Sequence, residues 1–331
     1  MHGILPVYLE TFGEAQSSGI SRYQPVRGEQ AEHSHPPTAD HWHALRVLER
    51  NAPVHRATED RLGKVIASAV ATPGGLFRFD LTRQAARAFG TPEAQADSLA
   101  CAVEYFHIAS LLLDDLPQMD DSLERRGRIC PHLLYGEDKV ILGALGLITR
   151  AYALLGEAIC SVPLERHRPA HALIEQCLGT AGILNGQARD LSFAQQGGNR
   201  REVVSVAAGK TAPLIHLALA LPALLGGADR RTLTLLRRLS LFWGLFYQGV
   251  DDLKDILEKS TSSGKTSGRD QELGRPNIAL AAGEEKAEVY LHRLNRLSAD
   301  CIAELSQICP RLSFLAEGRR MLVAHWEALV S

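Results

Sequence analysis

Four carboxylates lie within eight residues at Asp114-Asp115-Leu116-Pro117-Gln118-Met119-Asp120-Asp121, directly after the apolar run Leu111-Leu112-Leu113. On an unbroken helix Asp114 and Asp120 would point about 240° apart. Pro117 interrupts the hydrogen-bond ladder and permits a turn that brings them to one ligand. A second cluster, Gln248-Gly249-Val250-Asp251-Asp252-Leu253-Lys254-Asp255, places Asp251 and Asp255 at i and i+4 on one helical face. It continues an apolar stretch from Leu241 to Tyr247, so this face looks inward and repulsion between the acids demands a cation. Oxygen donors with no His or Cys nearby select a hard ion such as Mg²⁺, which bridges one or two carboxylates to substrate phosphates. Cations suited to phosphate accompany both clusters: Arg125 and Arg126 after the first, Lys265 and Arg275 after the second.

The elements that must position these groups are helices. The chain has 331 residues, 45% hydrophobic and 22% charged, an ordinary globular composition. Its length fits two domains of roughly 150 residues, or one large helical domain. From Asp40 onward, Ala- and Leu-rich segments of helical length alternate with breaks at Thr72-Pro73-Gly74-Gly75, Gly90-Thr91-Pro92, Gly197-Gly198-Asn199, Gly226-Gly227 and Ser260 to Arg275. No convincing strand appears. Gly90 suits a left-handed helix end, and Thr91-Pro92-Glu93 a cap followed by Pro at the first helical position. These signals predict a single all-α bundle over residues 41–331, with a central cavity if the two acidic clusters share a ligand. Residues 1–40, rich in Gly, Ser, Gln, His and Pro without a sustained period, read as a tail or arm.

Several classes are excluded by composition. A net charge of −2 offers no electrostatic footprint for nucleic acid or an anionic membrane. Six scattered cysteines without a CxxC pair indicate neither a zinc cage nor a disulfide framework, and read as buried thiols of a reducing cytoplasm. The segment from Met1 to Glu10 lacks a basic flank and is interrupted by Pro6, unlike a signal peptide, so the expected location is cytoplasmic. The longest apolar stretch, Ala212 to Leu225, falls short of the roughly 18 residues of a membrane span, so no transmembrane segment is expected. His33-Ser34-His35 and His41-Trp42-His43 come without Cys and are weak metal signals.

Several motifs in order resemble the isoprenyl diphosphate synthase (polyprenyl synthetase, trans-prenyltransferase) family, most of all its bacterial geranylgeranyl diphosphate synthases. The run from Asp114 to Asp121 followed by Arg125-Arg126-Gly127 is similar to the family's first aspartate-rich motif. Gly186-Gln187-Ala188-Arg189-Asp190-Leu191 resembles its GQxxDL element, Gly209-Lys210-Thr211 its lysine-threonine pair, and Gln248 to Asp255 its second aspartate-rich motif, with Gly264 to Asp270 as the loop behind it. The resemblance implies an all-helical homodimer that joins isopentenyl diphosphate to an allylic prenyl diphosphate. It implies a catalytic set of Asp114, Asp115, Asp120, Asp251, Asp252, Asp255, Lys210, Thr211 and Gln248. Within this set Asp114, Asp120 and Asp251 would hold about three Mg²⁺ ions. It also implies substrate contacts from Arg78, His107, Arg125, Arg126, Gln187, Lys265 and Arg275.

The pattern departs from the family in one segment. Where members carry a GGKRxRP stretch for isopentenyl diphosphate, this chain has Gly74-Gly75-Leu76-Phe77-Arg78-Phe79-Asp80, and the Lys is gone. One lost charge-assisted contact costs roughly 1.5–3 kcal/mol, about ten- to a hundredfold in affinity. Lys64 or Arg83 could substitute. Chain length in the family is set by the residues four and five before the first Asp, here Ser110 and Ala109. Both are small, so a geranylgeranyl product is expected, with farnesyl as the shorter alternative and deeper residues such as Leu142 or Leu145 as another floor. Two other readings use the same centre: a noncatalytic, regulatory prenyl-diphosphate-binding subunit, and a terpene cyclase or diphosphatase.

Overall fold

Gly, Pro and capping residues cut the chain into helices at the breaks of residues 72–75, 90–92 and 226–227. The computed structural model describes residues 38–196, 198–261 and 273–330. Most of the expected tail, and Lys265, lie outside the described residues. The helices are α1 (Ala39–Asn51), α2 (Asp60–Ala71), α3 (Phe77–Ala88), α4 (Glu93–Asp114), α5 (Pro131–Tyr135), α6 (Glu137–Cys160) and α7 (His167–Leu178). They continue as α8 (Ile183–Gln196), α9 (Arg200–Leu225), α10 (Arg230–Thr261), α11 (Ile278–Ala282), α12 (Glu284–Ile308) and α13 (Phe314–Val330). Helicity starts two residues before the expected boundary, because the Thr38 side chain accepts from the His41 backbone N–H and caps α1. Asn199 and Glu202 form a capping box at the start of α9. Pro92 takes the cap position of α4 rather than its first turn.

The fold is not free of strand. Glu124–Arg125 (β1) pairs antiparallel with Arg128–Ile129 (β2) through a two-residue turn in which Arg126 and Gly127 have φ of +54° and +70°. Positive φ at both central positions matches the turn that suits a twisted hairpin.

Helices α4 and α9 run through the centre: α4 packs on α3 and α6, and α9 on α3, α7, α8 and α10. Tyr105, Phe79 and Trp243 are among the largest side chains sealed between them. A second apolar cluster joins α9 and α10 to α11, α12 and α13 around Phe246, Leu253, Leu291 and Trp326. Reading an uninterrupted apolar run understated the helices. By length and composition α4, α6 and α9 are each apolar enough to cross a membrane, with 72%, 39% and 61% of that apolar window buried inside the protein. Burial of α4 and α9 is the work of neighbouring helices, whereas α6 is covered on one side alone.

His216 on α9 leaves its Nδ1 buried without a partner among the described residues, and burial, with help from Arg237, lowers its pKa to about 4. The ring stays neutral in the fold while the unfolded chain protonates near pH 6.5. Stability from this group is complete above pH 6.5 and is lost as pH falls toward 4. His216→Leu should flatten the urea midpoint over that window; an unchanged slope removes His216 as its source.

Candidate functional site

The first acidic run does turn back on itself. Helix α4 ends at Asp114, and the Asp120 N–H donates to the Asp114 carbonyl at 2.9 Å while the Asp121 N–H donates to Leu116 O at 3.0 Å. Asp114 and Asp120 are thereby brought side by side. Asp114 Oδ1 accepts from Gln187 Nε2 at 2.9 Å. Burial, then the nearby Asp120 and Asp190, push its carboxyl up to about 6 against the pull of Lys210 and Arg125. Asp115 points elsewhere: it is 2% exposed, and its two oxygens accept from Arg125 at 2.6 to 2.9 Å. Asp115 thus holds Arg125, as neighbouring residues on a helix point about 100° apart.

Two of the expected cations, Lys210 and Arg275, are engaged with acids of this chain. Lys210 Nζ donates to Asp190 Oδ2 at 3.0 Å. Burial opposes the ammonium, but Asp190, Asp114 and Asp120 outweigh it and keep the pKa above its ordinary value. Arg275 donates to the Met119 carbonyl and to Asp120 Oδ1, each at 2.9 Å, and lies 3.8 Å from Asp190. Its nearly buried fork ties the first acidic turn to α8. Close packing makes this possible. A Cβ on Gly186 would stand 2.3 Å from the Gly209 carbonyl carbon, so α8 and α9 touch backbone to backbone and set Gln187 and Asp190 beside Lys210.

In the second cluster, Thr211 Oγ1 donates to Gln248 Oε1 at 3.0 Å and Gln248 Nε2 donates to Asp252 Oδ1 at 2.9 Å. Asp252 is 1% exposed and its other oxygen accepts the Ile278 N–H at 2.6 Å. Like Asp115 it holds the frame, here the start of α11, while Asp251 and Asp255 on α10 are half-buried. Asp251, followed by burial, raises the Tyr247 phenol above its ordinary range, which puts the two side by side.

On its other side Tyr247 meets a basic site. The Arg78 guanidinium lies 5.6 Å from the Tyr247 ring centroid, and Arg78 Nη1 donates to His107 Nε2 at 3.4 Å. Burial, then Arg78, Arg126 and Arg125, keep His107 well below its usual pKa, so the ring is neutral and can accept. Arg126 donates to Pro73 O at 2.8 Å and its guanidinium covers Gly74, whose φ is +92° and whose added Cβ would lie 2.3 Å from it. Thus Arg78, His107 and Arg126 do converge on the Gly74 loop. Of the two residues that can stand at the missing Lys, Gly75 and Leu76, Leu76 is buried in a left-handed conformation. Arg83 does not replace the Lys, since it pairs with Asp97 at 2.8 Å and Glu93 at 3.2 Å.

Among the described residues no three His, Cys, Asp or Glu side chains gather closely enough to hold an ion by themselves. The donor set still fits Mg²⁺, which takes one or two carboxylates and completes its shell with water and phosphate oxygens. The raised Asp114 carboxyl beside Asp120 is a pair that a hard cation would relieve.

The polyprenyl synthetase family profile matches residues 59–308. The chain belongs to the polyprenyl synthetase family. A geranylgeranyl diphosphate synthase of Pantoea ananas is 30% identical over 264 residues, 79% of this chain and 85% of that one. A chloroplastic geranylgeranyl pyrophosphate synthase of Catharanthus roseus is 33% identical over 219 residues, 65% of this chain and 61% of the relative. The chain thus spans about three fifths of that plant enzyme's length. Among solved structures, a Helicobacter pylori geranyltransferase complexed with magnesium and isoprenyl diphosphate aligns with a TM-score of 0.72 at 24% identity, covering 88% of this chain and 97% of that one. A Thermotoga maritima geranyltranstransferase gives 0.67 at 25%, covering 86% and 98%. The helical architecture is that of the isoprenoid synthases.

Within this family fold, two site residues went unselected by sequence reasoning. Asp190 was visible inside the GQxxDL element and joins Lys210 to Arg275. Glu104 lies one helical turn before His107, and a lone Glu in an apolar helix was the signal. The two chain-length positions differ: Ala109 is sealed, and Ser110 is half-buried with its hydroxyl donated to the His107 carbonyl at 2.8 Å. Leu142 and Leu145, the alternative floor, are 50% and 52% exposed. Gly186→Ala must push α8 from α9 and separate Gln187 and Asp190 from Asp114 and Lys210. It should lower the melting temperature and cut any turnover by tenfold or more; unchanged values would show that the helices part without consequence.

Proposed function

We propose that this protein is a Mg²⁺-dependent trans-prenyltransferase that condenses isopentenyl diphosphate with an allylic diphosphate, chiefly to geranylgeranyl diphosphate. One observation carries the reading: two anion sites of opposite construction flank Tyr247. On one side stands Asp251 of the second acidic cluster, and acids of this cluster and of the Asp114 to Asp120 turn accept a diphosphate only through cations. On the other stand Arg78, Arg126 and neutral His107, which accept one directly. A reaction between two diphosphates in which only one is expelled needs this asymmetry.

Asp114 and Asp120 on one wall and Asp251 on the other would hold the metal, with the number of ions and the assignment of each ligand following the family. Mg²⁺ bound there would neutralise the allylic diphosphate and weaken its bond to carbon. Lys210 and Arg125, each anchored by an Asp, stand ready to share the charge that develops on the departing group. The allylic C–O bond breaks with its electron pair on the diphosphate, the isopentenyl double bond supplies the pair for the new C–C bond, and the released proton passes to the freed diphosphate. No side-chain base is required. The isopentenyl diphosphate, held by Arg78 and Arg126 away from the carboxylates, keeps its own C–O bond. Geranylgeranyl diphosphate as product is supported by the relatives named above and by small Ala109 and Ser110.

A second reading, a noncatalytic prenyl-diphosphate-binding subunit, is favoured by the absence of the family's Lys. Turnover separates the two. Purified protein with Mg²⁺, isopentenyl diphosphate and an allylic primer should yield a twenty-carbon prenyl diphosphate. Asp114→Asn should lower kcat at least about a hundredfold with the fold intact. A wild-type enzyme that forms no C–C bond would sink the synthase reading, and a cyclic or free alcohol product would replace it with a cyclase or diphosphatase.

We also propose that a second copy covers α6. Ile141, Leu142 and Leu145 on α6 and Leu133 and Leu134 on α5 are all exposed, a contiguous apolar face of the kind that marks an interface. Leu145→Glu should shift the light-scattering mass from dimer to monomer; a wild-type chain that is already monomeric refutes the assignment.

A further inference from the structure

Helix α3 begins without a cap of its own. Its N-cap position is Leu76, with φ of 54° and no side-chain oxygen to meet the first free N–H groups. The Phe79 N–H, third in the helix and the usual target of a capping side chain, is met instead from α4: Glu104 Oε2 accepts it at 3.0 Å. Glu104 is 1% exposed, far more buried than an ordinary Glu, so the contact is closed to water. Arg78, the residue before Phe79, has its Nε buried with no partner among the described residues and reaches only His107 and the Tyr247 ring.

Glu104 and His107 stand at i and i+3 on one face of α4. One grips the backbone of the first turn of α3, and the other the Arg78 side chain that this turn projects. Charge agrees with geometry. Burial raises the Glu104 carboxyl to about 7, with Arg78, the Phe79 N–H and Arg126 pulling down and Asp80 adding to the rise. A buried acid this close to Arg78 and Arg126 offsets their mutual repulsion while no anion is bound.

We propose that Glu104 is a positioning residue for the isopentenyl diphosphate site, acting as a cap supplied in trans to α3 that holds Arg78 toward His107 and the Gly74 loop. This rests on the assignment of Arg78, His107 and Arg126 to that substrate. Because the loop lacks the family's Lys, Arg78 and Arg126 carry the anion between them. Displacement of Arg78 by even about 1 Å is then felt directly in binding.

Steady-state kinetics on the full chain test the proposal, with each substrate varied at saturation of the other. Arg78→Ala should raise KM for isopentenyl diphosphate at least tenfold. Glu104→Leu should raise the same KM by about tenfold, with kcat and the allylic KM within about twofold of wild type. Glu104→Gln should restore most of the loss, because its carboxamide oxygen accepts the same N–H. If the Leu variant does not fold, Glu104→Asp, which withdraws the acceptor by one methylene, should raise the isopentenyl KM three- to tenfold. A lowered kcat with both KM values unchanged, or an isopentenyl KM unmoved by Leu and Asp alike, overturns the positioning role. An Arg78→Ala enzyme with normal isopentenyl KM overturns the site assignment and the proposal with it, whereas an effect of Arg78 without one of Glu104 overturns the proposal alone.

Discussion

Carboxylates inside an apolar helical shell are the constraint on which the rest of this structure depends. Desolvation disfavours the charged form of each acid and proximity disfavours it further. The raised Asp114 carboxyl displays both effects. Left alone, such acids would take up protons and lose their use as cation ligands. The chain responds with fixed partners: Gln187 on Asp114, Arg275 on Asp120, Arg125 on Asp115 and Lys210 on Asp190. Each ties one helix or turn to another, so the partners of the acids also fix their positions. Replacing only one partner would leave the other charge buried and unmatched, a loss of about 3–5 kcal/mol for a fully buried pair. The half-exposed Arg125 and Lys210 sit below that limit.

The same logic separates the two anion sites. Tyr247 stands between Asp251 of the second acidic cluster and Arg78 of the basic site. Its phenol lies beside Asp251 and its ring faces Arg78. An aromatic side chain suits this place because it adds no formal charge, offers a polar tip to one side and presents a negative π face to the guanidinium on the other. Electrostatic partition of this kind lets two polyanions lie close together while only one is exposed to metal. It also accounts for a net charge of −2 over the whole chain: strong local fields of opposite sign average out.

Much of this was legible in the sequence because helix ends are local events. The Gly and Pro breaks, the turn forced by Pro117 and the i, i+4 spacing of Asp251 and Asp255 depend on residues a few positions apart. Direction was less legible. A double Asp reads as two acids of one catalytic set, yet adjacent helical residues diverge by about 100°, so Asp115 and Asp252 turn into the frame. Arg126-Gly127 stands where Asn-Gly would announce a hairpin, and Arg at φ +54° hides the signal. That strain has a counterpart across the loop, for the left-handed turn brings the Arg126 guanidinium over Gly74. The Glu104 to Phe79 and Arg275 to Asp120 contacts span 25 and 155 positions, and only the packing of separate helices reveals them.

Loss of the Lys changes more than a charge count. Leu76, which with Gly75 is one of the two residues that can stand in its place, is buried in the apolar core. The site therefore has fewer formal cations but a drier wall behind them, and Coulomb attraction strengthens as the local dielectric falls. His107 adds an acceptor: burial and three arginines disfavour the imidazolium, so the neutral ring accepts from Arg78. An anion placed between Arg78 and Arg126 would offset the arginine contribution, while burial, the larger cause, still favours the neutral ring. The contact depends on the alignment of Arg78 with His107, which the first turn of α3 must hold without a cap of its own.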